Sequence, residues 1–289
     1  MEVFEKYSSD ASRFLMLDGS LIHYRDEGKG EVIVLIHGAF SSLHTFDRWT
    51  EILQESYRVI RFDAPGFGLS SPLKDPSSVS IDHFVKLIDR FVNRLGIKKF
   101  HLIGSSLGGW LAWEYCLQHP KKVRRLALIG SAGFMDHRNV PLPIKMMRTP
   151  FVDKIVKHAV RRSVMEVFVK EVYGNEEMIT SELLDRYYDL FTRPGNPEAF
   201  FNLVNAKFTD RTRRLRSIKH ATLIMWGALD NWMPLENAYK FRDRIPNAEL
   251  LIYEDLGHLP FEEAPEATAE DLQHFLNEEI AIGTRATKA

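Results

Sequence analysis

This chain lacks most of the devices that anchor, cross-link or recruit. Its one cysteine, Cys116, excludes an internal disulfide framework, and a place in an apolar run reads as a core position. No apolar stretch approaches the roughly 18 residues of a membrane span. The opening MEVFEKYSSD is charged and has no apolar leader core, so a soluble, cytoplasmic protein is expected. Charge of one sign is missing too: 38 basic residues balance 39 acidic ones, and a net charge of −1 supplies no field for nucleic acid. The histidines fall in no H-x-x-x-H or comparable cluster, so no metal is expected. Gly66-Phe67-Gly68 is not followed by the helix and acidic residue of a dinucleotide fingerprint, so no cofactor is expected either. Internal repeats and low-complexity tracts are absent. What remains is 289 residues, 45% of them hydrophobic, enough for a full core as one large α/β domain or a domain with an insertion.

Short apolar runs alternate with amphipathic segments, the rhythm of a parallel sheet under two helical layers. Phe14–Leu17 and Leu21–Tyr24 read as a hairpin across Asp18-Gly19. Further strands are expected at Val32–Ile36, Val59–Phe62, Phe100–Ile103, Val123–Ile129, Leu223–Trp226 and Leu250–Tyr253. Helices are expected at Leu43–Glu55, Ile81–Leu95, Ser106–Gln118, Leu235–Arg244 and Glu266–Glu279. The predicted fold class is α/β, with a mostly parallel eight-stranded sheet flanked by helices. The rhythm breaks between Ser131 and Lys219, where prolines punctuate a helical pattern without a strand. The simplest reading is a core of residues 1–132 and 220–289 with a helical cap, 133–219, inserted between two core strands.

The most informative stretch is FHLIGSSLGGWLAW, Phe100–Trp113. A buried-strand run meets Gly104-Ser105-Ser106-Leu107-Gly108, a G-x-S-x-G pattern, and helical spacing follows. A side chain at either glycine would clash in so tight a turn, which lifts the Ser106 hydroxyl clear of the sheet edge. Free N–H groups and the positive end of the helix dipole then point at any charge developing on a substrate. Ser105 falls at x of the pattern and is not the nucleophile.

A serine hydroxyl needs a base to take its proton and a carboxylate to hold that base. Asp230 follows the strand Leu223–Trp226, and His258 follows Leu250–Tyr253. In an open parallel sheet the crevice at the carboxyl ends of the strands binds ligands, so loops there can gather Ser106, Asp230 and His258. Of the rival acids, Asp63 sits in a turn-rich loop where it bonds backbone, Asp136 follows Val123–Ile129, and Asp255 is solvated. His37 reads as a brace for the loop after its strand. The N–H groups of Ala39 and Leu107 are the expected oxyanion-hole donors, each worth about 3 kcal/mol in a transition state. Glu262, Glu263 and Pro265 read as shaping the start of the last helix.

With these pieces in place, the chain resembles α/β-hydrolase-fold serine hydrolases over almost its whole length. The resemblance rests on HGAF at His37–Phe40, DAPGFGLS at Asp63–Ser70, GSSLGG at Gly104–Gly109, WGALDNWMP at Trp226–Pro234 and GHLPFEEAP at Gly257–Pro265. It implies a Ser–Asp–His triad in that chain order and hydrolysis through an acyl-enzyme, without a cofactor. Ser106 stands where dehalogenases and epoxide hydrolases of the fold carry Asp. Carbon–carbon bond hydrolases of the meta-cleavage type share the triad but carry a longer glycine- and proline-rich run where this chain has Ala39-Phe40-Ser41-Ser42. The expectation is therefore a carboxylic ester hydrolase for small-molecule substrates with apolar substituents. C–C hydrolase, lactonase and monoacylglycerol lipase are the alternatives, and a ligand-binding receptor-like member of the fold is the non-enzymatic one.

Phe40, Trp110, Phe134, Met135 and Trp232 are candidate pocket walls by nearness to the motifs. Basic residues outnumber acidic ones in Ile144–Tyr173, with apolar residues interleaved. Such a pattern can lie on a lipid surface. The favoured reading is a cap whose apolar face covers the active site. Oligomeric state has no signature in the sequence.

Overall fold

The computed structural model describes residues 2–75, 79–134, 160–206 and 208–278. Met135, Asp136 and the basic segment up to residue 159 lie outside them. Eight strands form one sheet in the order β1-β2-β4-β3-β5-β6-β7-β8. They are β1 (Arg13–Leu17), β2 (Ser20–Gly28), β3 (Glu31–Ile36), β4 (Tyr57–Phe62), β5 (Phe100–Ser105), β6 (Val123–Ile129), β7 (Thr222–Gly227) and β8 (Ala248–Tyr253). The β1–β2 and β2–β4 pairs are antiparallel and the rest are parallel. All eight fall on the apolar runs, and in the central parallel strands the reason is that a strand covered on both faces must be apolar throughout. Every residue of β5 and of β7 is buried.

Helices α1 (Glu2–Tyr7), α2 (Asp47–Leu53), α3 (Ile81–Arg94) and α4 (Leu107–Gln118) precede or interleave the first six strands. Helix α3 is amphipathic, burying Ile81, Phe84, Val85, Ile88, Phe91 and Val92 along one stripe. Its Ser80 cap accepts a bond from the His83 N–H at 3.2 Å. Helix α4 has no solvent face through most of its length, since every residue from Leu107 to Cys116 is buried. Between β6 and β7 the described residues hold α5 (Arg162–Val172), α6 (Ser181–Phe191) and α7 (Asn196–Asn205). The order ends with α8 (Leu235–Arg244), α9 (Pro260–Glu263) and α10 (Pro265–Asn277).

One expected helix divides. Leu43–Glu55 is a 3₁₀ turn, Leu43–Phe46, followed by α2. Asp63 Oδ1 draws in the Leu43 N–H at 2.7 Å, and Thr45 bonds back three residues to Ser42. The same carboxylate takes the Leu69 N–H at 2.8 Å and pairs with His23 Nδ1 at 2.7 Å. Burial works against the ionised form of Asp63, but the His23 bond and the neighbouring histidines hold its carboxyl below the usual range. No described helix is long and apolar enough to cross a membrane.

The topology sets the position of the site. From β3 the chain turns to β4 on one side and later to β5 on the other, so the strand order reverses between β3 and β5. A crevice opens at the carboxyl ends of strands at such a switch point. The segments following β3 and β5 there are His37–Phe40 and Ser106–Leu107.

Candidate active site

Ser106 joins β5 to α4 with φ 55° and ψ −118°, a strained conformation for a residue with a side chain. The surrounding backbone imposes it. The Ser106 N–H donates to Ile129 O at 2.9 Å, and its carbonyl accepts from Ala132 N–H at 3.0 Å and Trp110 N–H at 3.2 Å. Sterics make the two glycines of the pattern obligatory. A Cβ on Gly104 would stand 2.1 Å from Gly108 O, and one on Gly108 would stand 2.1 Å from Ile36 O. The loop after β3 passes just as closely, since a Cβ on Gly38 would meet Ser106 Cβ at 3.0 Å. The Ala39 segment is thereby held beside Ser106. The Leu107 N–H, first in α4, has no acceptor within its own helix.

His37 braces this loop from inside. Its Nε2 accepts the Ala64 N–H at 3.0 Å and its Nδ1 lies 2.7 Å from Gly38 O. Burial lowers its pKa, which keeps the ring neutral as those contacts require.

The loops after β7 and β8 bring Asp230 and His258 together. Asp230 Oδ2 lies 2.7 Å from His258 Nδ1, and both residues are buried. The other carboxylate oxygen accepts the Trp232 and Met233 N–H groups, each at 2.8 Å. Both oxygens are thus occupied and the carboxylate cannot rotate freely. His258 Nε2 is buried and has no hydrogen-bond partner among the described residues. Ser106 and His258 line one small cavity with Gly38, Ala39, Phe40, Ser41, Val172, Tyr187, Trp232 and Leu259.

Not every candidate wall residue is on that cavity. Phe40 and Trp232 line it. Phe40 also stacks on Phe168 at 5.1 Å and meets Phe191 at 4.8 Å, so rings from the helices between β6 and β7 pack against this wall residue. Trp110 instead packs against Trp113 and Phe208. Phe134 packs edge-on against Phe241 of α8, with the Arg244 guanidinium 4.6 Å from its ring centroid. Nearness to a motif is no guide to the direction of a side chain on the next turn. Val172 and Tyr187, which belong to no motif, also line it, as does Leu259, the residue after His258 in GHLPFEEAP.

The acidic pair before Pro265 does more than open a helix. Glu262 accepts from Thr45 Oγ1 at 2.7 Å and Tyr187 OH at 2.9 Å, and it pairs with Arg186. Glu263 accepts from three backbone N–H groups: Gly257 and Gly174 at 2.8 Å, and Asn175 at 3.3 Å. One carboxylate therefore ties the His258 loop to the end of α5, where the His258 N–H also donates to Val172 O at 2.8 Å. Burial pushes the Glu263 pKa up, and the three N–H bonds oppose that rise. Glu263→Ala is expected to cost about 2–4 kcal/mol of stability, because it strands those donors. Urea denaturation reads the loss, and Glu263→Gln, which keeps one acceptor oxygen, should recover part of it.

Comparison with known proteins adds to this geometry. A family model described as alpha/beta hydrolase fold matches residues 31–265. A 2-hydroxy-6-oxononadienedioate/2-hydroxy-6-oxononatrienedioate hydrolase of Paraburkholderia phymatum is 30% identical over 248 residues, covering 82% of this chain and 84% of that protein. A 2-hydroxy-6-oxo-6-phenylhexa-2,4-dienoate hydrolase of Comamonas testosteroni is 28% identical over 253 residues, covering 84% of this chain and 86% of the other. The crystal structure of a membrane phospholipase A, a bacterial virulence factor, superposes with a TM-score of 0.78 at 26% identity, over 92% of this chain and 85% of that one.

Proposed function

The chain belongs to the alpha/beta-hydrolase fold family, and on that premise we propose that it is a serine hydrolase using Ser106, His258 and Asp230. The observation that carries this reading is the His258 imidazole. Asp230 fixes its Nδ1 side and leaves Nε2 unpartnered, and the residue lines the same cavity as Ser106. His258 takes the Ser106 proton as Oγ attacks a carbonyl, and Asp230 stabilises the imidazolium. The Ala39 and Leu107 N–H groups receive the oxyanion, the positive end of α4 adding to the field. His258 then protonates the departing group, and a water it deprotonates releases the acyl chain. The helices between β6 and β7 form a cap over this reaction.

The substrate read from the residues is a carboxylic ester with apolar substituents, in keeping with a cavity walled by Phe40, Val172, Trp232 and Leu259. A second reading, hydrolysis of a C–C bond in a vinylogous diketone, is favoured by the names of the relatives near 30% identity. The same triad serves both, since each reaction passes through a tetrahedral adduct at a carbonyl.

A fluorophosphonate probe is expected to label Ser106 in the folded protein and no other serine. A panel of aryl esters of increasing acyl length, run beside lactones and 2-hydroxy-6-oxodienoates, then assigns the class. Turnover of a dienoate far above every ester selects the C–C reading. Folded protein that stays unlabelled overturns the serine mechanism.

A further inference from the structure

The mechanism above uses the Ser106 hydroxyl, the His258 imidazole and two backbone N–H groups. It leaves two polar side chains of the same cavity without work. The Trp232 indole Nε1–H and the Ser41 hydroxyl are both buried atoms with no hydrogen-bond partner among the described residues. Both residues line the cavity that holds Ser106 and His258. Other orphaned donors exist, such as Trp110 Nε1, but Trp110 is not on this wall.

The placement of Trp232 is specific. Its own N–H is bound to Asp230 Oδ1 at 2.8 Å, so the residue is anchored to the acid that holds His258. Its ring lies within 24° of parallel to the His258 imidazole, with centroids 6.1 Å apart, and Phe168 closes the far side at 6.5 Å. Only 5% of the residue is exposed. Ser41, two residues beyond Ala39, lines the same cavity. A purely apolar wall would carry Phe and Ala at these positions, since leaving a buried donor unpaired costs about 1–3 kcal/mol. An acceptor oxygen brought against these atoms by a bound substrate would satisfy them.

Resting on the serine-hydrolase reading, the geometry points to a hydrogen-bonding subsite formed by Trp232 Nε1–H and Ser41 Oγ–H, which receives an acceptor oxygen that the substrate carries in addition to its scissile carbonyl. The substrate is then an oxygenated acyl compound rather than a plain alkyl ester. A ketone and a carboxylate both offer that oxygen.

The test compares p-nitrophenyl 4-oxopentanoate and 5-oxohexanoate with the pentanoate and hexanoate, and mono-p-nitrophenyl succinate distinguishes a carboxylate from a ketone. Wild type is expected to prefer at least one oxygenated ester over its alkyl counterpart, in kcat/KM, by about 10-fold. Trp232→Phe, which keeps the ring and removes the N–H, should cut that ratio by about 3- to 10-fold, as should Ser41→Ala. A wild type without preference, or a ratio that survives both variants, overturns the subsite. A contact readout works without turnover. In Ser106→Ala labelled with ¹⁵N-tryptophan, methyl 4-oxopentanoate or monomethyl succinate should shift the Trp232 indole resonance, identified by its loss in the Trp232→Phe background. Methyl pentanoate should not. Equal shifts from all three, or no shift from any, sink the proposal. Failure of the serine mechanism reads separately, as absence of fluorophosphonate labelling and of turnover on every ester.

Discussion

Ser106→Ala is expected to lower kcat by about 100,000-fold or more on whichever substrate the protein hydrolyses. The change deletes the oxygen proposed to attack and little else. The bonds that hold residue 106 in place run through its backbone, to Ile129 O, Trp110 N and Ala132 N, and none needs the hydroxyl. Alanine and serine suffer the same strain at φ 55°, so the turn should survive with its glycine contacts intact. Any residual rate over water would come from the oxyanion donors and from binding. Circular dichroism and the melting temperature check that the fold is kept, while active-site titration excludes contaminating wild type. Hydrolysis within about 10-fold of wild type would refute Ser106 as nucleophile.

Asp230→Asn is expected to lower kcat by about 10,000-fold, through the tautomer of His258 rather than through its position. Asp230 Oδ1 is committed to the N–H groups of Trp232 and Met233. An asparagine must offer its carbonyl oxygen to those donors, which leaves its NH₂ facing His258 Nδ1. That nitrogen must then accept, so the proton moves to Nε2 and the imidazole cannot take a proton from Ser106. The geometry of the site is preserved and its protonation is inverted. The ¹⁵N shifts of the His258 ring read the tautomer directly, and kcat reads its consequence. A variant with Nδ1 still protonated and near-normal turnover would refute the role given to Asp230.

Much of this arrangement is legible in the sequence. Strand positions follow from apolar runs whose length and branching suit a sheet covered on both faces. The close approaches at Gly104 and Gly108 follow from a motif five residues long. The local part of the work of Asp63 and His37 is also readable, Asp63 taking the Leu69 N–H six residues on and His37 Nδ1 lying against the neighbouring Gly38 O. The division of Leu43–Glu55 was not readable, since the acceptor for the Leu43 N–H is Asp63, 20 residues away. Nor was the work of Glu262 and Glu263, whose partners include Tyr187, 75 residues distant, and Gly174, 89 residues distant.

By itself the sequence determined the order of elements, the turns that glycine alone permits and the residue types available for attack, proton transfer and charge support. These depend on periodicity and sterics over a few residues. Only the tertiary structure decided that Asp230 meets His258 at 2.7 Å, that Trp110 and Phe134 turn away from the cavity, and that Val172, Tyr187 and Leu259 wall it. A cavity wall is assembled from segments whose meeting depends on how helices seat on the sheet. That packing is a property of the whole chain and leaves no local pattern to read.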